Sequence, residues 1–148
     1  MIVEDQSEVL AFLRDPASHA GAAVEEIETH AAHVFLVGDR AYKLKRSVRF
    51  AFLDFSTADM RKAACESELA LNRRTAPDLY LAVAAVTRGA DGTMALDGAG
   101  EAVDWLVVMK RFDQDTLFDR LAERGALDDR QLRDLADAIA AFHEIAEP

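Results

Sequence analysis

Residues 24–45 read VEEIETHAAHVFLVGDRAYKLK and residues 58–74 read ADMRKAACESELALNRR. The first stretch alternates with a period of two and the second with a period near 3.6, so a sheet is followed directly by a helix. Strands are expected at VEEIET, HVFLV and RAYKLK, the last two joined by a Gly38-Asp39 turn in the reverse order of the favoured Asn-Gly hairpin. Ser56 or Thr57 as N-cap and Asp59 in the first turn open the helix, which runs to about Arg74 and closes near Pro77. An amphipathic helix at 4–14 precedes all this, with Val9, Leu10 and Leu13 inward and Asp15 stopping it before Pro16. Residues 46–55 form an aromatic-rich connection. Further strands are expected at 79–87, 93–96 and 103–109, separated by turn-rich patches at 89–92 and 97–101. A polar connector, KRFDQD, leads into helices at about 115–124 and 129–146, the latter with Leu132, Leu135, Ile139 and Phe142 on one face. The pattern is α+β: about five antiparallel strands with one helix inserted after the third, then a helical portion.

The 148 residues suffice for one domain or a fragment of a larger one, and 51 % hydrophobic with 30 % charged residues is ordinary for a globular protein. No apolar run is long enough to span a bilayer and no leader-like segment opens the chain, so a cytoplasmic, membrane-free protein is expected. The single Cys65 excludes an internal disulfide framework and, within a helical pattern, reads as a small buried hydrophobe rather than a nucleophile. With 27 acidic against 17 basic side chains, net charge −10, nonspecific nucleic-acid binding is disfavoured, whereas a small anion held at one basic spot is not.

One such spot stands out. Alternation puts Ala41, Lys43 and Lys45 on one face of the RAYKLK strand. Arg40-Ala-Tyr-Lys43 has the shape of the Val-Ala-Ile-Lys strand of protein kinases, where the small Ala admits a purine and the Lys reaches the phosphates. That register favours Lys43, with Lys45 nearer the strand end as a solvated bystander. The competing reading is an edge strand whose lysines discourage aggregation. In the following helix Glu68 flanks an apolar stripe of Met60, Ala64 and Leu71, while Glu66 points to solvent. A carboxylate at the margin of a buried face calls for a partner, which pairs Glu68 with Lys43; the alternative is an exposed contact with Asn72 or Arg61 on its own helix. In VVMKRFDQD an abrupt strand end is expected to leave backbone groups of Met109, Lys110 and Arg111 unpaired and able to read an adenine edge. Asp113 and Asp115 stand where a carboxylate could accept from a ribose hydroxyl, although Asp115 reads better as the N-cap of the next helix. His30 and His33 fall on opposite faces of a strand with no third ligand nearby, which argues against a metal site.

The order of these pieces, together with THAAHVFLVGDRAYKLK, FAFLDFSTADMRKAACESELALNRRTAPDLYL and VMKRFDQDTLFDRLAERGAL ending in IAAFH, resembles the bacterial aminoglycoside-phosphotransferase-like family of the protein-kinase-like fold. The particular branch often carries a P-loop ATPase half after the kinase-like one. The resemblance covers residues 24–146. It implies a small lobe at 1–109, a hinge at 110–114 and the first helices of a large lobe at 115–148. It also implies ATP as ligand, with Lys43 on the phosphates, Glu68 orienting it, Ala41 lining the purine pocket and Met109–Phe112 as the hinge. Thr29–His33 would take the place of the kinase Gly-rich loop, without its glycines, and Phe142-His143 would match the Leu-His that closes the helix before the catalytic loop. The aspartate that orients a small-molecule hydroxyl acceptor, and the Asp/Asn ligands of Mg²⁺, are expected downstream of Pro148, so phosphate transfer by this polypeptide alone is not expected. A non-catalytic regulatory module attached to an ATPase half is the competing reading. Homodimerisation through exposed faces of the helices at 115–146 is a further expectation.

Overall fold

The computed structural model describes residues 3–146. These fall into two compact units, the first ending at Arg111 and the second beginning at Phe112; residues 1–2 and 147–148, at the ends of the expected lobes, lie outside the described residues. The fold is mixed α+β. Among the described residues the first unit contains α1 (Ser7–Arg14), β1 (Val24–Glu28), β2 (Ala32–Val37), β3 (Arg40–Lys45), β4 (Arg49–Phe50), β5 (Leu53–Asp54), α2 (Ala58–Asn72), β6 (Tyr80–Arg88), β7 (Met94–Leu96) and β8 (Glu101–Lys110). The second contains α3 (Phe118–Glu123) and α4 (Asp129–Ile145).

Six strands, matching the six segments expected, make one curled antiparallel sheet in the order β1-β2-β3-β8-β6-β7. β3 is therefore not an edge strand, which removes the anti-aggregation reading of its lysines: it is paired on one side to β2 and on the other to β8. The β2–β3 turn works because Gly38 takes φ 55° while Asp39 stays at negative φ, the glycine-first pattern of a II′ turn. The aromatic-rich connection 46–55 contains the two-stranded β4–β5 hairpin, with Phe50 and Phe52 stacked at 5.8 Å.

Register assigns the faces. Leu44 opposes His33 and Leu106, and the Phe35–Leu44–Leu106 face packs with Val9 and Leu13 of α1 and with Val37 and Val86 into the core. Ala41 opposes Leu36 and Met109, and Lys43 opposes Val34 and Val107, on the other face. α2 packs there, along β8 and β6. Thr57 caps α2 through a hydrogen bond accepted from Met60 N (3.3 Å). The buried residues of α2 are Arg61 and Cys65, whereas Met60 and Leu71 are exposed. The expected stripe was thus rotated: side-chain type put Arg61 outside, and its partners bring it in.

In the second unit Asp113, not Asp115, is the capping residue. Its side chain accepts from Asp115 N and starts a short 3₁₀ turn over Gln114–Thr116, ahead of α3. Asp128 and Gln131 form a capping box on α4, their side chains exchanging hydrogen bonds with each other's backbone N–H (2.8 and 2.9 Å). Leu132, Leu135 and Ile139 on α4 are exposed.

Candidate functional site

Strand geometry places the ammonium groups of Lys43 and Lys45 on the same side of the sheet, and α2 runs across them. Lys43 Nζ lies 2.8 Å from Glu68 Oε1, and Lys45 Nζ lies 2.5 Å from Glu68 Oε2. One carboxylate therefore bridges two lysines. The pairing of Lys43 with Glu68 is present, and neither alternative partner takes the Glu68 side chain: Asn72 bonds the Glu68 backbone carbonyl, and Arg61 turns to Asp104. The expectation of a solvated Lys45 is overturned. Its side chain is 8 % exposed, against 31 % for Lys43 and 14 % for Glu68, and its ammonium lies 5.0 Å from the Phe55 ring centroid. Lys45 stands one residue pair further along the strand, where Glu68 of α2 and Phe55 of the 46–55 segment lie against its ammonium.

Burial pushes the Glu68 carboxyl up, but the hydrogen bonds and charges of Lys43 and Lys45 outweigh it and leave the group below its usual range. The Tyr80 phenol is raised by burial and then by the charge of Glu68, with Lys43 acting in the opposite sense, so the tyrosine borders the same site. Cys65, one helical turn before Glu68, is fully buried; its Sγ lies 3.8 Å from Trp105 O and its thiol is pushed up to about 11 by burial first, which makes it inert at neutral pH. Ala41 and Val107 are buried on this face of the sheet and Val34 and Met109 are half-buried, forming an apolar floor beside the Lys43 ammonium.

The connector after β8 departs from expectation. Met109 is paired in the sheet to both Ala41 and Tyr80. Lys110 N donates to Leu79 O (2.9 Å) and Arg111 N to Asp39 O (2.8 Å), while the Arg111 guanidinium reaches Glu25 at 3.0 Å. These donors are committed because β8 is a central strand whose neighbours run past its end. The segment Thr29–His33 likewise closes on itself. Thr29 N donates to Ala32 O (2.8 Å), and the Thr29 hydroxyl accepts from Ala31 N (3.4 Å) and Ala32 N (3.0 Å). His33 Nδ1 meets Glu26 at 2.8 Å, and Glu26 also holds Arg14.

A second charged cluster lay outside the sequence reading. Arg61 Nε and Nη2 donate to the two oxygens of Asp104 (2.8 and 3.0 Å), Nη1 donates to Phe55 O (3.0 Å) and Nη2 also donates to Glu4 (2.8 Å). Gln6 joins it, donating to Asp104 (2.7 Å) and to Lys45 O (3.1 Å) and accepting from Ser47 N (2.7 Å). Arg61 and Asp104 are each 1 % exposed. The signal was present in VDWLVVM: a carboxylate inside an apolar strand requires a cation. Its partner could not be read, because Arg61 stands 43 positions away.

Comparison with known proteins places the chain beside mycobacterial ones. It is 35 % identical over 120 residues to uncharacterized proteins of Mycobacterium tuberculosis and Mycobacterium bovis, covering 81 % of this chain and 22 % of each relative. The chain thus spans about a fifth of the length of these relatives. No protein-family model matches the chain, and no solved structure matches it. Among the described residues no helix is long and apolar enough to cross a membrane.

Proposed function

We propose that this chain is the nucleotide-binding part of an ATP-dependent phosphotransferase, similar to the aminoglycoside-phosphotransferase-like family and built as a kinase-like small lobe. The observation that carries the reading is the ion pair of Lys43 on a rigid central strand with Glu68 on the helix that follows it, beside the small Ala41 and an apolar floor. In such a site Lys43 holds the phosphates, Glu68 keeps it charged and aimed, and the purine lies over Ala41, Val107 and Met109. With the N–H groups of Lys110 and Arg111 already engaged, the base edge is left to the carbonyl side of the hinge. The element order also supports the reading, since strand, hairpin, helix, strands and connector follow one another as in a kinase small lobe. Mg²⁺ would supply charge neutralisation on the phosphates; its ligands, the aspartate that orients a small-molecule hydroxyl acceptor, and phosphate transfer itself belong in this reading to chain beyond residue 148.

One observation favours a second reading, a non-catalytic kinase-like module that binds nucleotide and regulates an attached ATPase half. The 29–33 turn spends N–H donors on the Thr29 hydroxyl, where an active kinase would offer them to the phosphates.

Calorimetric titration with ATP and ADP in the presence of Mg²⁺, on the wild type and Lys43→Ala, tests the common core of both. Binding by the wild type with at least about tenfold loss in Lys43→Ala is expected. Absence of wild-type binding, or full binding by Lys43→Ala, overturns the nucleotide site. Light scattering of the same samples tests dimerisation through the 115–146 helices: a monomer at all concentrations excludes it.

A further inference from the structure

We infer that Lys45 is the second cation of a shared anion site: by occupying one oxygen of Glu68, it leaves Lys43 with a surplus positive charge for the phosphates of a nucleotide. The inference rests on the nucleotide reading above and assigns Lys45 as a positioning residue of that site.

The argument is one of charge and depth. A one-to-one Lys43–Glu68 pair is neutral and offers a polyphosphate little beyond two ammonium N–H groups. Two ammonium groups on one carboxylate carry a net +1, and they do so inside a chain of net charge −10. The two lysines are layered: Lys45 is enclosed behind Glu68, and Lys43 is the one solvent can reach. Lys45 is also held from three sides. Its backbone lies in β3, its carbonyl accepts from Gln6 Nε2 (3.1 Å), and its ammonium stands 5.0 Å from the Phe55 ring centroid. The other buried carboxylate nearby, Asp104, is taken up on both oxygens by Arg61, so it does not cancel the surplus. Finally, the 29–33 turn keeps N–H donors for itself, which shifts anion recognition from backbone amides to side-chain cations.

The expected behaviour separates charge from shape. Lys45→Met keeps the volume and the apolar stem but reduces the site to neutral, so affinity for ADP and for inorganic tripolyphosphate falls about tenfold or more. Lys45→Arg keeps the charge and stays within about threefold of the wild type. Lys45→Gln also removes the charge while keeping a polar head, so it is expected to weaken both probes like Lys45→Met and serves if Lys45→Met fails to fold.

The experiment is calorimetric titration of the full chain and these variants with both probes, with thermal melts confirming that each is folded. Unchanged binding by Lys45→Met (or by Lys45→Gln where Lys45→Met does not fold), or binding by Lys45→Arg as weak as by Lys45→Met, overturns the role of Lys45 while leaving the Lys43 site standing. Failure of the wild type to bind either probe overturns the nucleotide reading, and this inference with it.

Discussion

Two clusters of buried charge sit two turns apart along the same face of α2, and they differ in balance. Around Arg61 every nitrogen is engaged: both Asp104 oxygens, Glu4 and the Phe55 carbonyl surround one guanidinium that is 1 % exposed. Around Glu68 the cations exceed the carboxylate by one, and Lys43 faces solvent with ammonium protons to spare. A closed, saturated network holds elements together, here the N-terminal residues 4–6, α2, β8 and the 46–55 connection. An open cluster with surplus charge is, in the reading proposed above, the place where an anion is held. The contrast teaches that burial of charge alone does not mark function; unspent charge at a reachable position does.

The sharpest way to break this contrast is to remove Arg61. Arg61→Ala strands Asp104 without its cation and is expected to cost about 3–5 kcal/mol, read as a fall in the urea midpoint. Replacing the pair together, Arg61→Met with Asp104→Leu, should recover most of that loss; a double variant as unstable as the single one would mean the pair has a role beyond mutual satisfaction. Next comes Glu68→Ala, which leaves two ammonium groups facing each other and is expected to cost about 1–3 kcal/mol, less than the fully enclosed pair because Lys43 meets solvent.

The same carboxylate gives a pH test. Burial raises its pKa, but the hydrogen bonds and charges of Lys43 and Lys45 hold it below the ordinary glutamate range, so its stabilisation is fully present above that range and is lost as pH falls through the depressed folded value. Urea midpoints at neutral pH and in acid should therefore differ more for the wild type than for Glu68→Gln; equal acid sensitivity would remove Glu68 from the account. Lys43→Ala is expected to cost under about 1 kcal/mol in stability, since Lys45 still holds Glu68, even as nucleotide binding is lost. Smallest of all is Glu66→Ala, two positions before Glu68 but exposed and only 4.0 Å from Lys62, with a shift within about 0.5 kcal/mol. A Glu66 effect as large as that of Glu68 would erase the distinction on which the site rests.

Much of the site was legible because it is local. Alternation along RAYKLK put Lys43 and Lys45 on one face, and the 3.6-residue period kept Glu68 near the buried side of α2. The fate of Lys45 was not legible. A strand-end lysine reads as solvated until Phe55 and α2 are seen to cover it. The free donors expected at Lys110 and Arg111 failed for a related reason: their partners, Leu79 and Asp39, come from segments whose adjacency depends on β8 running between β3 and β6.

By itself the sequence determined the six strands of the main sheet and the helices, a cap of α2 at Ser56 or Thr57, the position of the β2–β3 turn and the shared face of Ala41, Lys43 and Lys45, because these follow from steric preferences and periodicities acting over a few residues. Tertiary structure alone decided that β8 lies at the centre of the sheet, that Arg61 is buried on Asp104, and that one carboxylate serves two lysines. Whether a charge is buried depends on which partner desolvates with it. That partner is chosen by the packing of distant segments, not by the residue's neighbours in the chain.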